Sequence, residues 1–189
     1  IEFSTPESAI ANVMKCLDSG TPTVVGTTGW LHQLPQAEAA CRQHDTALIV
    51  SSNFSIGVNL FFEVNKYVAK LMEKHPEYRV TLEEIHHTQK KDRPSGTAIS
   101  LAEQILSQQP RKTKWVAGET KKKEEISITS QRIDPVPGTH TIVYKSEIDT
   151  LEIKHTAHNR LGFATGAVWA AEFIQYKTGI FEMKDVLGL

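Results

Sequence analysis

The segment HHTQKKDRPSGTA, residues 86–98, concentrates side chains that can move protons. Neighbouring residues of an extended strand point to opposite faces, so one of His86 and His87 can act on a ligand while the other orients or binds it. Lys90 and Lys91 lie within reach of the same strand end. Histidine titrates near neutrality, and a lysine beside another cation is shifted toward it. The segment therefore predicts acid–base chemistry.

Three small residues, Ser95, Gly96 and Thr97, follow this cluster at the predicted start of a helix. The first N–H groups of a helix have no partner within it, and the positive end of the helix dipole lies there. Both features favour a bound carboxylate or phosphate. The ligand is then predicted to be an anion that is handled by a proton donor.

The elements around this segment indicate a sheet of strands with short links. A strand over residues 78–87 leads into the cluster, and a helix over residues 96–108 follows it, with Ala98, Leu101, Ala102 and Ile105 spaced to face inward. Three further strand patterns cover residues 126–133, 139–147 and 150–157. Strands in succession with short links predict an antiparallel or mixed sheet.

The first part of the chain alternates helix and strand. Helices are predicted from Pro6 and over residues 34–44, and buried strands over residues 23–25 and 47–50. This order is typical of a parallel α/β sheet, which binds ligands at the carboxyl ends of its strands. The two strands run into polar loops at that edge, GTTG (residues 26–29) and SSNF (residues 51–54). Either loop alone is a weak signal for a nucleotide.

Two more helices complete the pattern, over residues 55–74 and 164–176. In the first, Leu60, Val64, Tyr67, Val68 and Leu71 recur at spacings of three and four. The predicted fold class is α/β plus α+β. The later half of a Rossmann-type parallel sheet, residues 1–53 and 160–189, is joined to a mixed-sheet domain, residues 54–159.

Composition excludes several classes of protein. The formal net charge is -1, and the lysine run at 121–123 is followed by Glu124 and Glu125, so no basic surface for nucleic acid is expected. Cys16 and Cys41 lack metal or disulfide spacing, which favours a reducing compartment. The first residues do not form a signal peptide, and no apolar run is long enough to span a membrane, so we expect a cytoplasmic protein without a membrane partner.

Five motifs together resemble one family, the dihydrodipicolinate reductases. They are VVGTTGW, SSNFSIGVNL, EEIHHTQKKDRPSGTAISLAEQI, HNRLGFATGAVWAAEFI and GIFEMKDVLGL, and they run through essentially the whole chain. The resemblance implies NADH- or NADPH-dependent reduction of dehydrated 4-hydroxy-tetrahydrodipicolinate, a dicarboxylate, to tetrahydrodipicolinate in diaminopimelate and lysine biosynthesis. It also implies a homotetramer assembled through the sheet of the second domain.

The resemblance also assigns roles to individual residues. His86 matches the acid–base histidine and Lys90 the proton-donating lysine. His87 matches the substrate-binding histidine, and Gly96 with Thr97, next to Ser95, match the group that holds a substrate carboxylate. The cofactor residues are the turn beside the nicotinamide ribose and the loop that lines the nicotinamide: Gly26, Thr27, Thr28, Ser51, Ser52, Asn53 and Phe54.

Two departures from the family pattern affect these expectations. Arg93 stands where alanine is common, and we expect it to face solvent. The strand and glycine-rich turn that open the dinucleotide domain would precede Ile1, so this chain is expected to bind NAD(P)H poorly. The part of the domain that distinguishes NADH from NADPH would precede Ile1 as well.

Three alternatives stay open. A different two-domain NAD(P) oxidoreductase, such as a semialdehyde dehydrogenase, would need a catalytic cysteine at a strand end, where neither cysteine lies. A metal module could use His86, His87, His155 and His158, but no carboxylate or cysteine completes a ligand set, and no metal is expected. The chain could also be an inactive oligomerisation and substrate-binding fragment of the reductase.

Overall fold

The computed structural model describes all 189 residues and divides them into two compact units. The first unit comprises Ile1–Asn59 and Leu161–Leu189, and the second comprises Leu60–Arg160. No helix combines the length and the apolar composition that crossing a membrane requires.

The first unit is built on a three-stranded parallel sheet. Its strands are β1 (Thr23–Val25), β2 (Ala47–Val50) and β8 (Gly179–Phe181), in the order β1-β2-β8. Its helices are α1 (Pro6–Asp18), α2 (Leu34–Gln43), the start of α3 (Ile56–Met72), α5 (Leu161–Ile174) and α6 (Met183–Leu187), with a 3₁₀ turn at Leu31–Gln33.

Local sequence explains how the first unit begins. Thr5 and Ser8 form a capping box at the start of α1, where Pro6 occupies the first turn and loses no helical hydrogen bond. Helix α1 then buries Ala9, Val13 and Leu17 in an apolar cluster. Strand β2 is buried at Ala47, Leu48 and Ile49, the continuous apolar pattern of a strand covered on both faces.

The second unit is built on a five-stranded mixed sheet. Its strands are β3 (Arg79–His86), β4 (Lys114–Ala117), β5 (Glu125–Arg132), β6 (Gly138–Lys145) and β7 (Thr150–Ala157), in the order β4-β5-β3-β6-β7. Strands β4, β5 and β3 are parallel, whereas β6 is antiparallel to both β3 and β7. The core contains residues of this sheet, of α3 and of α4 (Gly96–Gln108).

The predicted fold class is confirmed: a parallel sheet and a mixed sheet, both with helices. Strand β2, strand β7 and helix α4 have the predicted ends, and all four inward residues predicted on α4 are buried. Strands β4 and β8 were not predicted.

Helix α3 is present, but most of the apolar residues from which it was predicted are exposed. Leu60, Val64, Tyr67 and Leu71 are exposed. The helix instead buries Val58, Phe61, Asn65 and Ala69. Helix α3 is apolar on more than one side, so spacing alone does not identify its inner face.

Candidate functional site

Strand β3 carries the core and the site on one face. Val80, Leu82, Glu84 and His86 alternate along the strand, and all four are buried. Val80 and Leu82 pack in the apolar core, which includes residues of α4. Glu84 and His86 continue the same face at the carboxyl end of the strand, where it changes from apolar to charged. The start of α4 lies next to this charged end, since the Ser95 N–H donates to Glu84.

The Glu84 carboxylate is the centre of this charged end. Its side chain is 0% exposed. One oxygen, Oε1, accepts the Ser95 N–H at 3.1 Å and the Arg132 Nη2–H at 3.1 Å. The other, Oε2, lies 3.1 Å from Nδ1 of His86 and 3.9 Å from Nε2 of His140. A single carboxylate thus contacts side chains from β3, β5 and β6 and a backbone N–H at the start of α4.

Glu84 remains ionised in this setting. Burial is the largest influence on its pKa and would raise it, since a buried charge loses its hydration. The contacts with His86, Ser95 and Arg132 favour the anion and together outweigh burial, so the pKa lies well below its usual range. The carboxylate is a permanent negative charge at neutral pH.

His140 has the opposite behaviour and is uncharged at neutral pH. Burial lowers its pKa to about 3, and the neighbouring His86 acts in the same direction. Its Nε2 lies 3.1 Å from the Ser95 hydroxyl, and its ring meets the His86 ring edge-on, with centroids 5.0 Å apart. The charge on Glu84 is therefore balanced by Arg132 and not by His140.

Arg132 also fixes the loop that follows β3. Its guanidinium donates to the backbone oxygens of Lys90 at 3.3 Å, Gln131 at 2.7 Å and Asp92 at 2.5 Å. The Lys90 ammonium lies 2.9 Å from the Asp92 carboxylate. The lysine predicted as a proton donor is thus held near the strand end, with its charge paired to Asp92.

His87 lies on the other side of β3 from His86 and is half-buried. Its Nε2 is 3.3 Å from Nη2 of Arg160. Because a guanidinium only donates, His87 accepts this hydrogen bond. The next residue, Thr88, donates its N–H to the Asp134 carboxylate at 3.0 Å. Sequence reasoning missed Arg160, which places a cationic group beside the predicted substrate-binding histidine.

The start of α4 requires one correction. Ser95 was grouped with Gly96 and Thr97 as a source of free N–H groups. Its N–H instead donates to Glu84, and its hydroxyl caps the helix by accepting the Ala98 N–H at 3.2 Å. The N–H groups of Gly96 and Thr97 make no hydrogen bond in the structure. The anion-binding turn therefore has two free N–H groups. Arg93, just before it, is exposed, as expected.

The predicted cofactor residues lie at one edge of the parallel sheet in the first unit. Residues 26–28 follow β1, residues 51–54 follow β2, and the Ser51 N–H donates to the Val25 carbonyl at 3.0 Å. Gly26 is in close contact with Phe3, since an added Cβ would lie 2.0 Å from its ring. The structure therefore brings the two loops together.

Not all of these residues present a free side chain. Thr28 and Ser52 are exposed, whereas the Thr27 hydroxyl accepts the Ser4 N–H at 2.7 Å. Phe54 is buried against Phe3, and the Asn53 amide oxygen accepts the Ser55 N–H at 2.9 Å. The side chains of Thr27, Asn53 and Phe54 thus shape the loops, a role that the sequence did not indicate.

Helix α5 passes close to the second of these loops. A Cβ built on Gly166 would lie 1.8 Å from the Phe54 carbonyl oxygen, closer than any real contact. Glycine at this position is what allows the helix and the loop to pack.

Glu84, His86 and His140 are also a possible metal-ligand group, with one donor atom of each within 4.8 Å of the others. The sequence had suggested a different weak set that included His155 and His158, and the structure groups neither of these with His86. Arg132 contacts the carboxylate of the group and supplies the balancing positive charge that a metal would otherwise bring.

A cavity of about 350 Å³ lies at the other end of β3 and is lined by several cationic side chains, including Arg111 and Lys112. Both already donate hydrogen bonds to backbone oxygens, Arg111 to that of Met72 at 2.6 Å and Lys112 to that of Lys123 at 2.5 Å. Arg111 thus caps the end of α3, and Lys112 holds the loop before β5. The cavity is separate from the Glu84 cluster.

Two family models match the chain. The model described as "Dihydrodipicolinate reductase, N-terminus" matches residues 1–54, and the model described as "Dihydrodipicolinate reductase, C-terminus" matches residues 57–187. The two matches cover nearly all of the sequence.

Curated relatives and a solved structure agree with these matches. A 4-hydroxy-tetrahydrodipicolinate reductase from Christiangramia forsetii is 51% identical over 188 residues, covering 100% of this chain and 78% of the relative. The enzyme of the same name from Methanocaldococcus jannaschii is 35% identical, covering 100% and 70%. The dipicolinate-bound dihydrodipicolinate reductase from Paenisporosarcina sp. TG-14 superposes with a TM-score of 0.74 at 26% identity, covering 95% of this chain and 69% of that chain.

Proposed function

The chain belongs to the dihydrodipicolinate reductase family, and from that premise we propose how its residues divide the work of the reaction. The reaction is the NADH- or NADPH-dependent reduction of 4-hydroxy-tetrahydrodipicolinate, in its dehydrated form, to tetrahydrodipicolinate in diaminopimelate and lysine biosynthesis. When bound, the cofactor supplies the hydride. The protein has to bind a dicarboxylate, orient it and deliver one proton.

His86 is the proton donor of this proposal, with Lys90 as its partner. The observation that carries it is the contact of His86 Nδ1 with the buried Glu84 carboxylate at 3.1 Å. Hydride addition to a conjugated carbon–nitrogen system builds negative charge, which a nearby acid neutralises. Lys90 adds positive charge, and a bound substrate carboxylate would compete with Asp92 for its ammonium.

The two free N–H groups of Gly96 and Thr97 are the proposed site for one substrate carboxylate. Arg160 and His87 form the proposed second substrate contact, with Arg160 supplying the positive charge and His87 accepting from it at 3.3 Å; both residues reach the surface. Dipicolinate, the ligand in the Paenisporosarcina structure, carries two carboxylates and is the natural probe for both groups.

The loops of residues 26–28 and 51–54 are the proposed contacts for the nicotinamide end of the cofactor. Both follow neighbouring parallel strands, which is where doubly wound domains bind nucleotides. The exposure of Thr28 and Ser52 leaves both side chains accessible to the cofactor, whereas the space beside Gly26 is filled by the Phe3 ring. The domain division of this proposal follows: residues 1–53 and 160–189 bind cofactor, and residues 54–159 bind substrate.

A homo-oligomer, with the tetramer as the specific form, is also part of the proposal, assembled through the sheet of the second domain. Strand β7 is the edge of that sheet and carries exposed Leu151, with Ile148 exposed in the turn before it. An uncovered strand edge with apolar side chains favours pairing with another chain. Light scattering of the purified protein tests this, and a monomer at micromolar concentration would contradict it. The proposed location is the cytoplasm, where amino-acid biosynthesis takes place.

The decisive test of the acid assignment is kinetic. Changing His86 or Lys90 to alanine should lower kcat by about 10²- to 10⁴-fold, the usual contribution of a general acid, while cofactor affinity changes little. Consumption of NADH or NADPH gives kcat, and calorimetric titration gives the affinity. Lys91→Ala is the matched control, since this neighbouring lysine is exposed. Near-normal turnover in both variants would refute the assignment.

A further inference from the structure

The two oxygens of the Glu84 carboxylate have different partners. Oε1 is held by the Ser95 N–H and by Arg132, both at 3.1 Å. Oε2 faces Nδ1 of His86 at 3.1 Å, and neither of these two buried atoms has a hydrogen-bond partner of standard geometry in the protein. One oxygen is thus anchored by the fold, while the other is directed at the ring of the proposed acid.

From this division we infer that Glu84 is a positioning residue for the reduction, whose anchored carboxylate fixes the tautomer and the orientation of the His86 ring. The inference rests on the proposed function, in which His86 is the proton donor. Glu84 itself lies beneath His86 in the core and is fully buried, so it acts through the ring and not on the substrate.

The tautomer follows from the charge of Glu84. A carboxylate without a proton only accepts hydrogen bonds, so the nitrogen that faces it carries hydrogen. This places the permanent hydrogen of the His86 ring on Nδ1 and leaves Nε2 as the nitrogen that gains and loses the transferred proton. The other tautomer would direct a lone pair at the anion, and a ring flipped by 180° would place the Cδ2–H group there instead of a nitrogen.

The surroundings of Nε2 agree with this assignment. It lies next to Gly138, where an added Cβ would be 3.1 Å from it. Any other residue at position 138 would crowd the nitrogen, so glycine leaves it uncrowded. Nδ1 is fully buried against Glu84, so Nε2 is the ring nitrogen left for a ligand.

The neighbouring charges favour the same arrangement. Two groups contact the ring directly, Glu84 and His140. Arg132 contacts Glu84 and is the β5 neighbour of His86 in the sheet register, and Lys90 in the following loop is paired with Asp92. Arg132 balances the charge of Glu84, and His140 is neutral. The negative charge of Glu84 is therefore offset within the cluster, which favours the approach of a substrate with two carboxylates.

The experiment is a double-mutant cycle on Glu84 and His86. In Glu84→Gln we expect kcat to fall about 10²-fold, the lower end of what a general acid contributes, because an amide does not enforce the tautomer. In the double variant Glu84→Gln/His86→Ala, kcat should equal that of His86→Ala within about twofold, since Glu84 acts only through the ring. Additive losses, or normal kcat in Glu84→Gln, would overturn the inference.

Two controls isolate the effect. Glu83→Gln removes a carboxylate from the exposed face of the same strand and should leave kcat unchanged. Glu84→Asp retains the negative charge, so its loss of log kcat should be less than half of the loss in Glu84→Gln. If Glu84 had a purely steric role, glutamine, which has the same size, would preserve kcat better than aspartate.

A measurement on the unmodified protein keeps the test valid if Glu84→Gln does not fold. Nitrogen-15 NMR of the histidine rings distinguishes a protonated from an unprotonated ring nitrogen. Neutral His86 should carry its hydrogen on Nδ1, and a hydrogen on Nε2 would refute the inference. Failure of the proposed function looks different, because the wild-type protein would then not reduce the substrate, whatever the tautomer of His86.

Discussion

His140 should make the protein lose stability at mildly acidic pH. In the folded chain burial lowers its pKa to about 3 from an ordinary value of 6.5. Below pH 6.5 the unfolded chain binds a proton at this histidine and the folded chain does not, so stability falls as pH falls. The loss is about 1.4 kcal/mol per pH unit and reaches about 2 kcal/mol at pH 5. It ends near pH 3, where the folded form is protonated as well.

The size of this loss is significant against the about 5–15 kcal/mol by which small domains are stable. Its cause is specific to the cluster. A proton on His140 would place a second positive charge beside His86, in a site whose single carboxylate is already balanced by Arg132. The Glu84 pKa lies below its usual range, so that carboxylate adds its own loss of stability only below about pH 4.5.

Urea unfolding at pH 8, 6.5 and 5, with free energies extrapolated to water, measures the effect. The variant His140→Gln retains a polar group beside Ser95 but does not titrate, so its loss between pH 8 and pH 5 should be smaller than that of the wild type by about 2 kcal/mol. His155, whose pKa is also lowered by burial, contributes equally to both proteins and cancels in the difference.

The matched control is His75→Gln, which makes the same substitution at an exposed histidine of the same unit and so measures the effect of the change away from the cluster. Equal losses of stability between pH 8 and pH 5 in the wild type and in His140→Gln would refute the reasoning, because the buried imidazole would then not be the group that resists protonation.

Two further predictions concern the anion site and the packing of α5. A crystal soaked with dipicolinate should place a carboxylate within hydrogen-bond reach of the Gly96 and Thr97 N–H groups, and density only at surface lysines would contradict the site. Gly166→Ala should lower the free energy of unfolding by at least about 1–3 kcal/mol in urea titrations, although alanine normally favours a helix over glycine, since its methyl group would collide with the Phe54 carbonyl. Gly162→Ala is the control on the same helix, since its added Cβ would lie 3.8 Å from the nearest atom, the Ser55 hydroxyl oxygen, and it should be neutral or stabilising. Equal effects of the two changes would contradict the packing argument.

Elements with one clear apolar period were predictable from the sequence. Helix α4 has a polar cap and a single inward stripe, and its ends agree with the prediction. Strand β4 is four residues long and only half-buried, and β8 has three residues, so neither has enough alternation to be recognised. Helix α3 has apolar side chains on several sides, and the choice of the buried stripe depends on what packs against it.

The site was predictable only where its residues are neighbours in sequence. His86, Lys90 and the start of α4 belong to one segment. Glu84 could have been found from the same segment, because it precedes His86 by two residues and so shares its face of a strand. Arg132 and His140 come from other strands, and only the sheet register places them opposite His86 and Glu84. The sequence contains no local signal for that register.

The alternation of β3 has a consequence for folding errors. This strand is paired on both sides, with β5 and β6, and its inner face carries apolar residues and then charged ones. A slip of one residue would turn Val80 and Leu82 out of the core, and in the same movement Glu84 and His86 out of the site. A misregistered molecule would lose its stability together with its activity. Correct packing of Val80 and Leu82 therefore requires the same register that places Glu84 and His86 in the site. We expect no stable form of the protein in which β3 is shifted and the site is lost.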